Sequence, residues 1–203
     1  MIAIVDYGMG NLRSVQKAFA FLGHEAQIVD EPARLEAADR VILPGVGAFG
    51  DAMAQLRRRG MDAAVTDAAR AGKPLLGICL GMQLLFARSE EGGDLEGLGL
   101  IPSAITRFPE RGLKVPHMGW NSLRLRPCPL FDGLEGEPYV YFVHSYHAAE
   151  VNDAWTAATC DYGAPFTAAV WRGNVLGTQF HPEKSGAAGL RMLQNFAALK
   201  GGA

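Results

Sequence analysis

Cys79 lies in Gly77-Ile78-Cys79-Leu80-Gly81, directly after the apolar run Pro74-Leu75-Leu76. A cysteine between glycines, where a buried strand turns into a helix, is the thiol version of the G-x-S-x-G nucleophile elbow. The turn is tight, so side chains beside the nucleophile must be absent or small. The pattern predicts a helix over roughly Leu80 to Arg88 with its N-terminus aimed at the sulfur. Free N–H groups and the helix dipole there would favour a thiolate and hold a developing oxyanion. The same residue also suits a buried structural cysteine. The elbow alone leaves both readings open.

A thiol nucleophile needs a base, and the base needs an orienting group. Phe180-His181-Pro182-Glu183 offers both at the end of a late strand. In extended backbone, residues two apart point to one side, so Glu183 would reach a ring nitrogen of His181. Pro182 fixes its own φ and restricts His181. Such an imidazole can take the thiol proton and later protonate a departing amine, which is ammonia if the substrate is an amide. Cys79, His181 and Glu183 are the candidate catalytic residues. Backbone N–H groups of Val46 and Gly47, in Pro44-Gly45-Val46-Gly47, would form an oxyanion hole with that of Leu80. This G-x-G lacks the third glycine and the following acidic residue of a dinucleotide site.

The elements around these residues alternate. Ile2 to Val5, Ala26 to Val29, Val41 to Leu43 and Pro74 to Ile78 read as buried strands. Asn11 to Leu22, Asp51 to Arg59 and Met61 to Ala71 read as helices. This rhythm predicts an α/β fold, a three-layer, doubly wound, mostly parallel sheet of flavodoxin-like type flanked by helices. Ligand sites in such sheets lie beyond the carboxyl ends of the strands. The later half reads as shorter, additional antiparallel strands: Ala104 to Phe108, Tyr139 to Val143, Trp155 to Cys160, Phe166 to Trp171 and Val175 to Phe180. Arg172-Gly173-Asn174 forms a hairpin turn, and Ala187 to Leu199 a closing helix. Pro109 to Pro138 is expected to be an ordered surface loop. With no repeat or linker, residues 1–203 are expected to form one domain.

A formal net charge of −2 gives no electrostatic case for nucleic acid or an anionic membrane. No apolar stretch approaches the length of about 18 residues that a membrane span needs, and the start lacks a basic leader region. Three widely spaced cysteines, with no C-x-x-C, argue against a disulfide framework and for a reducing cytoplasm. Cys128 and Cys160 have no neighbouring base. His117, His144 and His147 lack metal-ligand spacing, so neither metal nor cofactor is expected.

Gly77 to Gln83 together with His181-Pro182-Glu183 resembles the class I glutamine amidotransferases. More narrowly, the chain is similar to the glutaminase subunits of imidazole glycerol phosphate synthases, which serve histidine biosynthesis. The segments Asp6 to Leu12, Pro44 to Phe49, Pro116 to Asn121, Tyr141 to Tyr146 and Gly177 to Ser185 carry that likeness. The resemblance implies that Cys79 attacks the side-chain amide of L-glutamine, releases ammonia and leaves a glutamyl thioester that water hydrolyses to glutamate. It implies that Gln83, with backbone near Ser145 and Tyr146, holds glutamine. It also implies a heterodimer with a (β/α)8-barrel cyclase subunit, which receives the ammonia directly. Asn11, Trp120, Tyr141 and Lys184 are then candidates for the partner interface or the ammonia gate. Each has a plainer reading as core aromatic, helix cap or solvated charge. Amidotransferase subunits of pyridoxal phosphate or anthranilate synthesis are the nearest alternatives. A cysteine peptidase would not ordinarily place its base in H-P-E.

Overall fold

The computed structural model of the chain describes residues 1–109, 112–149 and 151–201. Short buried strands and amphipathic helices follow one another from the start: β1 (Ile2–Val5), α1 (Leu12–Phe21), β2 (Ala26–Val29), α2 (Pro32–Glu36), β3 (Arg40–Gly45), α3 (Phe49–Arg58), α4 (Met61–Arg70) and β4 (Leu75–Cys79). Helix α5 (Leu80–Leu84) follows Cys79 without a gap. The strands β5 (Phe86–Ser89), β6 (Leu95–Glu96), β7 (Ile101–Arg107), β8 (His117–Ser122), β9 (Arg124–Leu125), β10 (Tyr139–His144), β11 (Tyr146–Ala148), β12 (Thr156–Asp161), β13 (Pro165–Arg172) and β14 (Val175–Thr178) lead to α6 (Gly186–Ala198).

The main sheet runs β2-β1-β3-β4-β14-β13-β11-β7-β5-β6, with β12 on β13 and β9 on β12. Strands β2, β1, β3, β4 and β14 are mutually parallel, and β14 to β13 begins the antiparallel extension. Alternation along the strands builds two cores, one on each face. Ile2, Ile4, Ile42, Leu76 and Leu176 face α1 and α6, with Phe19, Met192 and Phe196 among them. Ala3, Val5, Val41, Leu43 and Leu75 face α3 and α4, with Phe49, Leu56 and Val65. The expected three layers are present, and the parallel half carries the site edge.

Two expectations fail. The helix after Cys79 ends at Leu84, and Phe86–Ser89 is strand β5, parallel to β7. The reason is competition for carbonyls: Leu98 donates to Leu84 O (2.8 Å) and Ile101 to Leu85 O (3.0 Å), which takes the acceptors a longer helix needs. The stretch from Pro109 to Pro138 is not a plain loop. It contains β8 and β9 and a 3₁₀ turn, Pro129–Phe131, and β8 forms an antiparallel ribbon with β10 from Tyr139↔Ser122 to His144↔His117. Residues 110 and 111 of that stretch lie outside the described residues.

Candidate active site

Cys79 ends β4 with φ 56° and ψ −113°, a combination an L-residue rarely adopts. Among the described residues it is the one non-glycine with positive φ. Such a backbone costs on the order of 1–3 kcal/mol and persists where the surroundings over-determine it. The surroundings here are tight enough. A Cβ on Gly81 would fall 1.7 Å from Leu43 O, and one on Gly77 would fall 2.7 Å from Met82 Cα. Both glycines are therefore required for α5 to fold back against β3 and β4. With five residues, α5 contributes the free N–H groups of its first turn rather than a long dipole.

His181 follows β14 at the same sheet edge. Its N–H donates to Tyr141 O (3.0 Å), and the Ser185 hydroxyl donates to His181 O (2.6 Å) while accepting Tyr141 N–H (3.0 Å). The ring Nδ1–H donates to Glu183 Oε1 at 2.8 Å, and both side chains are almost fully buried. Glu183 reaches the ring through the 3₁₀ turn Pro182–Lys184, not through the extended backbone expected from sequence. Nε2 is buried without a hydrogen bond of ordinary geometry. Burial works against the imidazolium, but interactions with the Cys79 sulfur and the Glu183 carboxylate outweigh it and raise the pKa to about 9.

A cavity of about 320 Å³, of the size small-ligand sites have, opens over these groups. Cys79, His181, Val46, Gly47, Leu80, Gln83, Ser145 and Tyr146 all line it, so eight of the residues singled out from sequence converge there. Gly47 has φ 94°, and Val46 is partly exposed at the cavity mouth. Glu183 stands behind His181. The Gln83 amide faces inward: Nε2 donates to Tyr146 O (3.0 Å) and to Gln179 Oε1 (2.9 Å).

The four outer candidates divide. Trp120 (56% exposed) meets the Tyr141 ring at 6.3 Å, and Lys184 Nζ lies 5.9 Å above that ring. Asn11 stands at the N-cap of α1 with no side-chain capping bond, and no described contact joins it to those three.

Three residues escaped the sequence reading. Glu91 lines the cavity, and its Oε2 accepts Phe49 N–H (2.9 Å) at the start of α3. Nothing around Glu90-Glu91 in the sequence marks it. Tyr7, fully buried, donates to Pro44 O (3.0 Å), and burial followed by proximity to Cys79 pushes its hydroxyl well above the usual range. Gln179, two residues before His181, reaches the sulfur. Cys128 and Cys160 are buried thiols raised by burial to about 11 and about 12.

Sheet order and elbow geometry define the class: an α/β enzyme built around a cysteine at a strand-to-helix turn. The profile of the family described as glutamine amidotransferase class-I matches residues 3–199. The subunit HisH of imidazole glycerol phosphate synthase from Syntrophotalea carbinolica is 54% identical, the match covering 97% of this chain and 98% of that protein. The same subunit from Moorella thermoacetica is 53% identical, over 98% of this chain and 94% of its own. Among solved structures, PurLQS from Thermotoga maritima superposes with a TM-score of 0.78 at 22% identity, covering 97% and 96% of the two chains. A crystal structure titled glutamine amidotransferase gives 0.77 at 22%, covering 98% and 100%. At that identity these two speak for the fold alone. The chain belongs to the class I glutamine amidotransferases, in the branch of the imidazole glycerol phosphate synthase subunits HisH. It is a glutamine-hydrolysing enzyme. No helix among the described residues is long and apolar enough to cross a membrane.

Proposed function

We propose that the chain is the cytoplasmic glutaminase subunit of an imidazole glycerol phosphate synthase and works through Cys79, His181 and Glu183. The observation that carries this reading is the line from the Glu183 carboxylate through Nδ1 of His181 to a buried, unbonded Nε2 in the cavity that holds the sulfur. His181 Nε2 takes the Cys79 proton, and the sulfur forms a bond to the amide carbon of L-glutamine. The carbonyl oxygen becomes an oxyanion that backbone N–H groups of Val46, Gly47 and Leu80 stabilise. The C–N bond then breaks as His181 returns the proton to the leaving nitrogen, which departs as ammonia. Water, deprotonated by the same imidazole, cleaves the thioester to glutamate and restores the thiol.

Glu91 is the one acidic side chain among the cavity-lining residues, and it suits the α-ammonium of glutamine. Ser145 and Tyr146, which line the same cavity, supply backbone to the substrate. The Trp120–Tyr141–Lys184 cluster and Asn11 belong to the face toward a (β/α)8-barrel cyclase that consumes the ammonia. The test is co-purification with that cyclase and a glutaminase assay with and without its nucleotide ligand. Binding with stimulated ammonia release is expected. Cys79→Ala should abolish glutamine-dependent synthesis yet retain synthesis from ammonium salts. Glutamine turnover by Cys79→Ala would remove the nucleophile assignment, and absence of binding would move the chain to another amidotransferase pathway.

A further inference from the structure

We propose that Gln179 is a positioning residue that turns the positive end of its amide dipole onto the Cys79 sulfur and so favours the thiolate, an inference that rests on Cys79 being the nucleophile. Gln179 is wholly buried beyond the end of β14, where its own N–H continues the ladder to Ala168 O (2.9 Å). Its Nε2 lies 4.0 Å from Cys79 Sγ. At that distance the contact acts through the dipole more than as a full hydrogen bond.

The direction of the amide is settled by a chain of donors with one consistent assignment. His144 Nδ1–H donates to Tyr146 O (2.8 Å), so His144 Nε2 is a bare acceptor and receives Nδ1–H of His117 (3.0 Å). Both rings are buried, which keeps them neutral and holds this tautomer pair. The Tyr146 carbonyl also accepts one hydrogen of Gln83 Nε2, and the other goes to Gln179 Oε1. With Oε1 committed as an acceptor, Nε2–H of Gln179 has to face the sulfur. Reversal would set two N–H donors against each other and an oxygen against the sulfur.

The sulfur thus has two polar neighbours that suit different protonation states. Val143 O, 3.9 Å away, can accept from the thiol S–H and repels a thiolate. Gln179 Nε2–H does the reverse. The titratable groups around the sulfur are His181 with Glu183 behind it, Tyr7 from beyond β1, His144 from β10 and Glu91 across the cavity. Gln179 adds a fixed, non-titrating contribution to that set, drawn from the element next to the base.

The measurement is the pH dependence of iodoacetamide alkylation at Cys79, read on its own peptide by mass spectrometry so that Cys128 and Cys160 do not interfere. In Gln179→Met the alkylation midpoint should rise by about half a pH unit. Gln179→Glu keeps the acceptor that Gln83 needs and removes the N–H, and the midpoint should rise by at least as much. His181→Asn, measured alongside, sets the scale of the imidazole's own effect. Folded Gln179 variants that lose thermal stability but keep the wild-type midpoint would assign Gln179 a packing role and overturn the proposal. If Cys79→Ala still turned over glutamine, the nucleophile reading itself would fall, an outcome separate from an unmoved midpoint.

Discussion

His181 carries a proton more readily than a free imidazole although its burial opposes charge. Two neighbours reverse the balance, the sulfur on one side and Glu183 on the other, and they can be separated by mutation. Cys79→Ala removes the first and leaves burial and Glu183, so the His181 pKa should fall from about 9. A ring-nitrogen NMR titration of both proteins reads this directly, and an unchanged value would mean that the sulfur and the ring do not interact. Glu91 is tested by its charge. Glu91→Gln retains an oxygen for Phe49 N–H but has no charge for an ammonium group. KM for glutamine should rise on the order of tenfold, about the value of one charge-assisted hydrogen bond, with kcat little changed. A fall in kcat at constant KM would place Glu91 in the chemistry instead. Cys79 and His181 were legible as candidates because the elbow and H-P-E are local motifs, and Gln83 came only through the family resemblance. Glu91 and Gln179 were not, since their roles come from a long-range approach that no neighbouring residue announces.

At the scale of elements, the elbow is an agreement between β3, β4 and α5. Gly81 packs against the carbonyl of Leu43, and a methyl there would overlap it at 1.7 Å. Gly81→Ala should cost on the order of 3 kcal/mol or prevent folding, because backbone on both sides has to shift. Urea unfolding checks it. A near-native midpoint would show that α5 can move away from β3. The four early strands were readable because burial on both sheet faces produces unbroken apolar runs. Helices α1, α3 and α4 were readable because their apolar residues recur at helical spacing, whereas the five-residue α2, Pro32–Glu36, was too short to show a period. The extent of α5 was not readable, since the carbonyls of Leu84 and Leu85 are claimed by residues 98 and 101 rather than by their own helix. Strand β8 was hidden for a related reason. His-Met-Gly-Trp-Asn-Ser has little intrinsic strand character, and its pairing with β10 supplies what propensity does not.

Across the whole molecule, buried histidines should set the pH of greatest stability. His117 and His144 sit between the β8–β10 ribbon and the main sheet, and desolvation lowers them to about 4 and about 3. Below pH 6.5 the unfolded chain binds protons that these folded rings refuse. Their contribution is therefore complete above about 6.5 and is lost as pH falls toward 4 and 3. His181 acts in the opposite sense. Its folded pKa is raised, so its contribution is complete below about 6.5 and is lost as pH rises through about 9. Each ring changes stability by at most about 1.4 kcal/mol per pH unit within its own window. The two windows meet near pH 6.5, and unfolding free energy measured in urea from pH 4 to 10 should peak there. Cys79→Ala should flatten the limb between about 6.5 and 9, since it lowers His181, and should touch the acid limb only through the smallest of the His144 causes, repulsion by His181. A curve that keeps rising above pH 8, or an acid limb that vanishes with Cys79, would contradict this division of labour between the Cys79–His181 edge and the ribbon.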